Sequence, residues 1–161
     1  MLDFLGLYET YASDIYRFAL WLTGDSLDAE DITSETFIRA WLHNSTIRTE
    51  TLRAYLLAIA RNVYLGQRRK SKRQVLLDDA YPDPAPRPDR VAESQGDLRV
   101  VRSVLRSLRE IDRAAFVLRV HHELPYAEIA RILRLSLAAT KVKVHRVRKK
   151  LLAACADKEV N

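Results

Sequence analysis

LPYAEIARILRLSLAATKVKVHRVRKKL, residues 124–151, predicts two helices joined by a short turn. Its apolar residues recur at spacings of three and four, which is the period of an amphipathic helix. Pro125 suits the first turn of the shorter helix, and Ser136 can cap the start of the longer helix. The longer helix then has one apolar stripe available for packing, formed by Leu137, Thr140, Val144, Val147 and Leu151.

The longer helix is strongly basic outside this stripe, and no acid occurs between residues 129 and 156. A surface helix without a binding function would show the same stripe, but it would not need so many exposed cations. A basic helix held against a second helix fits the major groove of duplex DNA, which favours a role in reading DNA. The cations are Lys141, Lys143, Arg146, Arg148, Lys149 and Lys150.

The net charge of +6 is divided into four blocks of alternating sign. Residues 1–45 carry a net charge of −6, residues 46–73 of +7, residues 74–97 of −4, and residues 98–161 of +9. Two basic blocks separated by an acidic one indicate two polyanion-binding surfaces. The acidic N-terminal block is left for a partner that is itself basic.

Four of the five prolines alternate in YPDPAPRPD, within residues 74–97. Alternating prolines favour an extended backbone and cannot continue a helix, so this acidic segment is predicted to be a linker. It separates a first module, residues 1–73, from a second module, residues 98–161. Neither module shows the alternating pattern of a strand, so the predicted fold class is all-α with two small helical domains.

In the first module, a helix is predicted from about Asp3 to Leu22, and a second begins near Leu27. The second helix carries Asp28, Asp31 and Glu35 in one row, beside an apolar stripe that ends at Ala40. Three carboxylates in a row repel each other. They indicate either a solvated face or a docking surface for an arginine-rich partner.

A third helix is predicted over residues 51–73, with Leu52, Leu56, Ile59 and Val63 as its buried stripe. Cations at a helix C-terminus are favourable in any case, because they interact with the helix dipole. Basic side chains mixed with aromatic ones also suit single-stranded DNA, since charge follows the phosphates and rings stack on bases. The residues concerned are Arg61, Asn62, Arg68, Arg69, Lys70, Lys72 and Arg73, with Tyr55 and Tyr64 among them.

Other functional classes find no support in the composition. Cys155 is the only cysteine, which excludes an internal disulfide, and the adjacent His121 and His122 diverge on a helix, so no metal site or cofactor is expected. No apolar run reaches the roughly 20 residues of a membrane span, and the start lacks the features of a signal peptide, so a cytoplasmic protein is expected. The sequence shows neither a catalytic nucleophile with a general base nor a glycine loop that would bind phosphate, so an enzyme is not expected.

Three motifs in order resemble the bacterial extracytoplasmic-function sigma factors, group IV of the sigma-70 family. DAEDITSETFIRAW is similar to their region 2.2, LRAYLLAIARN to regions 2.3–2.4, and LPYAEIARIL to HRVRKKL to region 4.2. The resemblance covers nearly all of the chain from Tyr8 to Leu152. It implies an alternative sigma factor without catalysis of its own, with region 2 in residues 1–73 and the region 4 helix-turn-helix in residues 98–161.

The resemblance also implies partners and residue roles. The partners are RNA polymerase core, through its β′ clamp helices and β flap, promoter DNA and an anti-sigma factor. The residues expected to dock on core are Asp28, Asp31, Glu35 and Phe37. Those expected to recognise and melt the −10 element are His43, Asn44, Ser45, Tyr55, Arg61, Asn62, Arg68 and Arg69. Those expected to recognise the −35 element are Ser136, Lys141, Val142, Lys143, His145, Arg146, Arg148 and Lys149.

The chain departs from the family pattern at several positions. Arg134 stands in the turn where glycine is usual, and Ala138 replaces another common glycine. Val142 occupies an often polar position and favours contact with a thymine methyl group. Gly66 replaces a frequent aspartate, and glycine weakens a helix by roughly 1 kcal/mol relative to alanine.

A second hypothesis is a stand-alone helix-turn-helix repressor whose acidic N-terminal module forms a dimer. A repressor would bind a palindromic duplex as a dimer, whereas a sigma factor would need core polymerase and a two-part asymmetric site.

Overall fold

The computed structural model describes residues 3–42, 51–77 and 96–160. Within these residues the secondary structure consists of α-helices, which confirms the all-α prediction. The chain divides into two compact units, Met1–Asp89 and Arg90–Asn161. The first contains α1 (Phe4–Thr23), α2 (Ser26–Leu42) and α3 (Leu52–Leu77), and the second α4 (Gly96–Ser107), α5 (Glu110–Val120), α6 (Tyr126–Leu133) and α7 (Leu137–Val160).

Local signals set the boundary between α1 and α2. The Asp3 carboxylate accepts a hydrogen bond from the Gly6 amide at 2.7 Å and so caps the start of α1. Gly24 ends the helix at φ 69°, in the left-handed region that glycine adopts without a Cβ clash. The Asp25 carboxylate then accepts from the Leu27 amide at 2.8 Å, next to the first turn of α2.

The core of the first unit forms where α1, α2 and α3 each pack against the other two. The predicted stripe of α2 is buried, and so is that of α3 except for the half-buried Leu52. Asp14 on α1 and Arg53 on α3 form a partly buried ion pair, with 2.6 Å between Oδ2 and Nε. The largest fully buried side chains of this core are Ile15, Phe18, Ile32, Phe37, Leu56, Leu57 and Val63.

In the second unit, α7 packs against α4, α5 and α6. Thr140, Val144, Val147 and Leu151 are buried as predicted. Leu137 was expected in the same stripe, but its side chain is 46 % exposed. It is the first residue of α7, where the surrounding helices cover less of its surface.

The boundaries of the predicted linker can be compared only in part. Helix α3 continues to Leu77, four residues into the segment predicted as linker, and α4 begins at Gly96. The proline-rich stretch lies outside the described residues.

The turn between α6 and α7 forms without glycine. Arg134 adopts the left-handed conformation, with φ 56° and ψ 47°, and the Leu135 amide donates to the Ala130 carbonyl at 3.0 Å. Ser136 caps α7 as predicted, because its Oγ accepts from the Ala139 amide at 3.0 Å. The helix-turn-helix is therefore built at the expense of one strained residue.

We expect Arg134→Gly to raise the free energy of unfolding. The left-handed conformation costs a non-glycine residue about 1–2 kcal/mol, and glycine loses about 0.5–1 kcal/mol through its greater unfolded freedom, so the net gain is roughly 0.5–1 kcal/mol. Urea unfolding followed by circular dichroism measures it. Ala127→Gly, inside α6, is the matched control and should lose about 1 kcal/mol. A loss for Arg134→Gly equal to that of the control would contradict the assigned conformation.

Candidate functional site

The exposed side of α7 presents a compact set of basic and apolar groups. The buried stripe fixes the rotation of α7 about its axis, which leaves Val142 near the middle of the outer face, with 45 % of its surface exposed. Lys141, His145, Arg146 and Lys149 are exposed around it. This face can offer cations to phosphates and one apolar contact to a base edge.

Lys143 was expected among the residues that recognise the −35 element, but its ammonium group is paired within the second unit. Its Nζ lies 2.8 Å from Oδ1 of Asp112 on α5, and the two side chains are only 21 % and 24 % exposed. Its position, between the buried stripe and the outer face, points it toward α5. The structure therefore separates Lys143, which joins two helices, from the other cations of α7.

Two residues missed by the sequence reasoning lie beside the outer face of α7. The guanidinium of Arg119 sits 4.2 Å from the ring centroid of Tyr126, and Nζ of Lys141 lies 5.9 Å from the same centroid. Arg119 also donates to the Leu124 carbonyl at 3.1 Å. The three side chains come from α5, α6 and α7, so no short sequence pattern could have linked them.

The basic face of α3 carries Asn62, Arg68 and Arg69 in exposed positions and Arg61 in a half-buried one. The helix has no acidic residue. Arg68 extends toward Tyr64, with 3.3 Å between Nη1 and the hydroxyl and 5.7 Å from the guanidinium carbon to the ring centroid.

Tyr55 was expected to stack on bases, but the fold covers its ring. Its side chain is only 7 % exposed, and Tyr64 is similarly buried. Burial raises the pKa of the Tyr55 phenol. The physical reason is that the first half of α3 packs against both α1 and α2, which covers a wide arc of the helix.

The remaining residues expected at the −10 element, His43, Asn44 and Ser45, lie outside the described residues.

The acidic row of α2 is exposed at Asp28 and Asp31 and half-buried at Glu35. Glu35 is paired with Arg39 one turn later, with 2.9 Å between Oε1 and Nε. Such an exposed pair contributes only about 0.2–0.5 kcal/mol, so a partner's arginine could replace Arg39.

Phe37 does not belong to this surface. It was expected among the docking residues, but its side chain is fully buried and its ring centroid lies 5.0 Å from that of Tyr8. Its helical position faces the core, away from Asp31. Phe37 therefore supports the acidic row from within the core rather than forming part of the exposed surface.

Apolar side chains accompany the acidic row, and the sequence reasoning missed them. Leu27, Ile38 and Leu42 are exposed on α2. They lie four residues before Asp31 and seven and eleven residues after it, which places them on the same side of the helix as Asp31. Their signal was present in the sequence as an apolar line on the face opposite the buried stripe. The surface formed by the acidic row and these three residues is called the α2 surface below.

Among the described residues no group of three or more histidine, cysteine, aspartate or glutamate side chains is arranged to hold a metal ion. None of the helices in this part of the chain has the length and apolar character required to cross a membrane.

Both units match family models of known proteins. Residues 7–74 match the family model for sigma-70 region 2, and residues 98–151 match the model for sigma-70 region 4. The chain is 30 % identical over 152 residues to the ECF RNA polymerase sigma factor SigM of Bacillus subtilis, which covers 91 % of each protein. Over 68 residues it is 41 % identical to the ECF sigma factor SigL of Mycobacterium tuberculosis, a match that covers 41 % of this chain and 38 % of SigL.

A solved structure has the same fold. The sigma factor RpoE of Bartonella quintana, crystallised in complex with the anti-sigma factor NepR, matches with a TM-score of 0.82 at 24 % identity. The match covers 97 % of this chain and 98 % of RpoE.

Replacing Lys143 with methionine should lower stability more than it affects DNA binding. Loss of the pair with Asp112 is expected to cost about 1 kcal/mol, between the values for exposed and buried pairs. Lys149→Met, on the outer face, should instead lower the salt dependence of duplex binding by about one unit of slope. Thermal unfolding and fluorescence anisotropy at several salt concentrations measure the two effects. A reduced salt slope for Lys143→Met would place its ammonium group on a phosphate.

Proposed function

Because this chain belongs to the extracytoplasmic-function (ECF) sigma factors of the sigma-70 family, we propose that its α2, α3 and α7 surfaces each bind a different part of the initiation complex. The protein is an alternative sigma factor, which binds RNA polymerase core and directs transcription initiation at specific promoters. The observation that carries this function is the presence of both sigma-70 regions, in order, on the two units. The alternative of a stand-alone repressor is not favoured, because a repressor would not need region 2.

The outer face of α7 is proposed to read the −35 element. Lys141, His145 and Arg146 are exposed around Val142 and can reach base edges, while Arg148 and Lys149 are suited to phosphates. The exposed Val142 adds an apolar contact that favours a thymine methyl group. Lys143 is proposed to hold α7 against α5, where its ion pair with Asp112 fixes the angle of the helix.

The basic face of α3 is proposed to hold the non-template strand of the −10 element. Asn62, Arg68 and Arg69 are exposed there, and no acid on α3 reduces their field. With Tyr55 and Tyr64 buried, the contribution of α3 is charge and hydrogen bonding rather than stacking. We also propose that the segment from His43 to Thr51 captures a flipped base of the −10 element.

The α2 surface is proposed to dock on the β′ clamp helices of core polymerase. Asp28 and Asp31 offer carboxylates to a partner's arginines, and Leu27, Ile38 and Leu42 offer apolar area beside them. An amphipathic helix with basic and apolar side chains matches this combination of groups. Desolvation by the apolar residues would strengthen the ion pairs they surround.

We also propose how this sigma factor is regulated, where it acts and that it catalyses no reaction. RpoE of Bartonella quintana forms a complex with an anti-sigma factor, and we propose an anti-sigma partner for this chain as well. Region 4 is proposed to contact the β flap, and the linker to run along core polymerase. Sigma factors are non-enzymatic initiation factors, and we propose that this one acts in the cytoplasm without a cofactor or catalysis of its own.

The double variant Asp31→Arg with Glu35→Arg should abolish binding to core polymerase, because it reverses the charge at the centre of the α2 surface. Co-elution with bacterial core polymerase on a sizing column at moderate salt measures binding. Glu9→Arg with Glu30→Arg makes the same change in net charge at other exposed positions and should still co-elute. Stoichiometric co-elution of the first variant with native helicity would exclude the α2 surface as the docking site.

Arg146→Ala should weaken binding of the holoenzyme to its −35 element by about 1–3 kcal/mol and relax the preference for one base. Selection of duplexes from a random pool by wild-type and variant holoenzyme measures both effects. Lys149→Ala should instead weaken all sequences equally. An unchanged base preference with Arg146→Ala would show that this side chain does not read a base.

A further inference from the structure

Neither the conformation nor the packing of α3 explains why residue 66 is a glycine. It lies in the interior of α3, where glycine is the least favourable residue apart from proline. Its backbone does not use the left-handed conformation, which among the described glycines occurs at Gly24. Apart from the adjacent residues and the backbone of its own helix, a Cβ added at Gly66 would meet no atom within 4 Å, so no neighbouring helix requires the missing side chain.

The surroundings of Gly66 are polar and basic. Asn62 lies one turn before it, and Arg69 and Lys70 lie one turn after it; all three are exposed. Residues at these spacings share one helix face. Arg69 Nε approaches the Leu65 carbonyl at 3.4 Å, so its side chain leans back along the helix toward the turn that contains Gly66. The gap at Gly66, which is itself half-buried, therefore has helix backbone as its floor, with an amide and two cations beside it.

The charge of α3 selects an anionic occupant for this gap. The helix carries no acid, and five cations follow Gly66 within two turns, Arg68, Arg69, Lys70, Lys72 and Arg73. From Asn62 to Lys70 the face extends for about 12 Å along the helix axis. A gap one side chain wide admits a single sugar–phosphate chain at close range, whereas a duplex would rest on the surrounding long side chains. Close approach of a ligand to the backbone is a recognised reason for glycine.

We propose that Gly66 forms a notch in which the sugar–phosphate backbone of the single-stranded non-template DNA lies directly against α3. Asn62 donates a hydrogen bond to one phosphate, and Arg69 and Lys70 pair with the next. The inference rests on the proposed function of α3 as the single-strand surface and adds where and how closely the strand lies. The weaker helix is then compensated by contacts made only when DNA is bound.

The test measures binding of the full chain to a fluorescent oligothymidylate by anisotropy, with excess unlabelled duplex DNA present to occupy α7. Gly66→Ala should weaken binding about tenfold, because the added methyl group moves the strand away and one charge-assisted contact is lost. Circular dichroism should show that helicity is kept or increased, since alanine favours the helix. Ser71→Ala, which also favours the helix but lies on another side of α3, should bind like the wild type. Arg69→Ala should weaken binding.

The outcomes separate the notch from the function of α3. If Gly66→Ala binds as tightly as the wild type while Arg69→Ala is weakened, the notch is overturned and α3 remains the single-strand surface. If the wild type does not bind the oligothymidylate, or Arg69→Ala is not weakened, the single-strand assignment fails and the notch fails with it. Weaker binding by Gly66→Ala and Arg69→Ala, with Ser71→Ala unchanged, supports both.

Discussion

Burial of one apolar stripe on each helix is the constraint from which the functional surfaces of both units follow. A helix that packs along one stripe cannot rotate without exposing apolar area to water, and each Å² exposed costs roughly 25 cal/mol of stability. Its opposite face is then fixed in water with whatever side chains it carries. On α7 the stripe through Val144 and Val147 places Val142 and Arg146 outward. On α2 the stripe through Ile32 places Asp31 outward.

Ion pairs then divide the charged residues into those that join helices within a unit and those that are left for partners. Asp14 with Arg53 joins α1 to α3, and Asp112 with Lys143 joins α5 to α7. Both pairs are partly buried and connect helices distant in the chain, so removing one member leaves a charge poorly solvated. The pair of Glu35 and Arg39 is different, because it lies within one exposed helix and can be exchanged for a partner at little cost.

Two positions show that the chain tolerates local cost for different reasons. Arg134 adopts a left-handed conformation because the turn between α6 and α7 requires it, and the surrounding hydrogen bonds hold it there. Gly66 weakens a regular helix although neither its conformation nor its packing requires glycine. The first cost is explained inside the folded unit, whereas the second indicates a contact outside it.

The sequence by itself determined the helices, most of their buried stripes, the caps at Gly24 and Ser136, and the charge of each face. These depend on residues within about four positions of each other, where the helical period relates spacing to direction. Only the tertiary structure decided that Phe37 and Tyr55 are buried, that Lys143 pairs with Asp112, and that Arg119, Tyr126 and Lys141 meet. Those outcomes depend on which helix covers which arc of its neighbour, and side chains far apart in the chain meet only once the helices have packed.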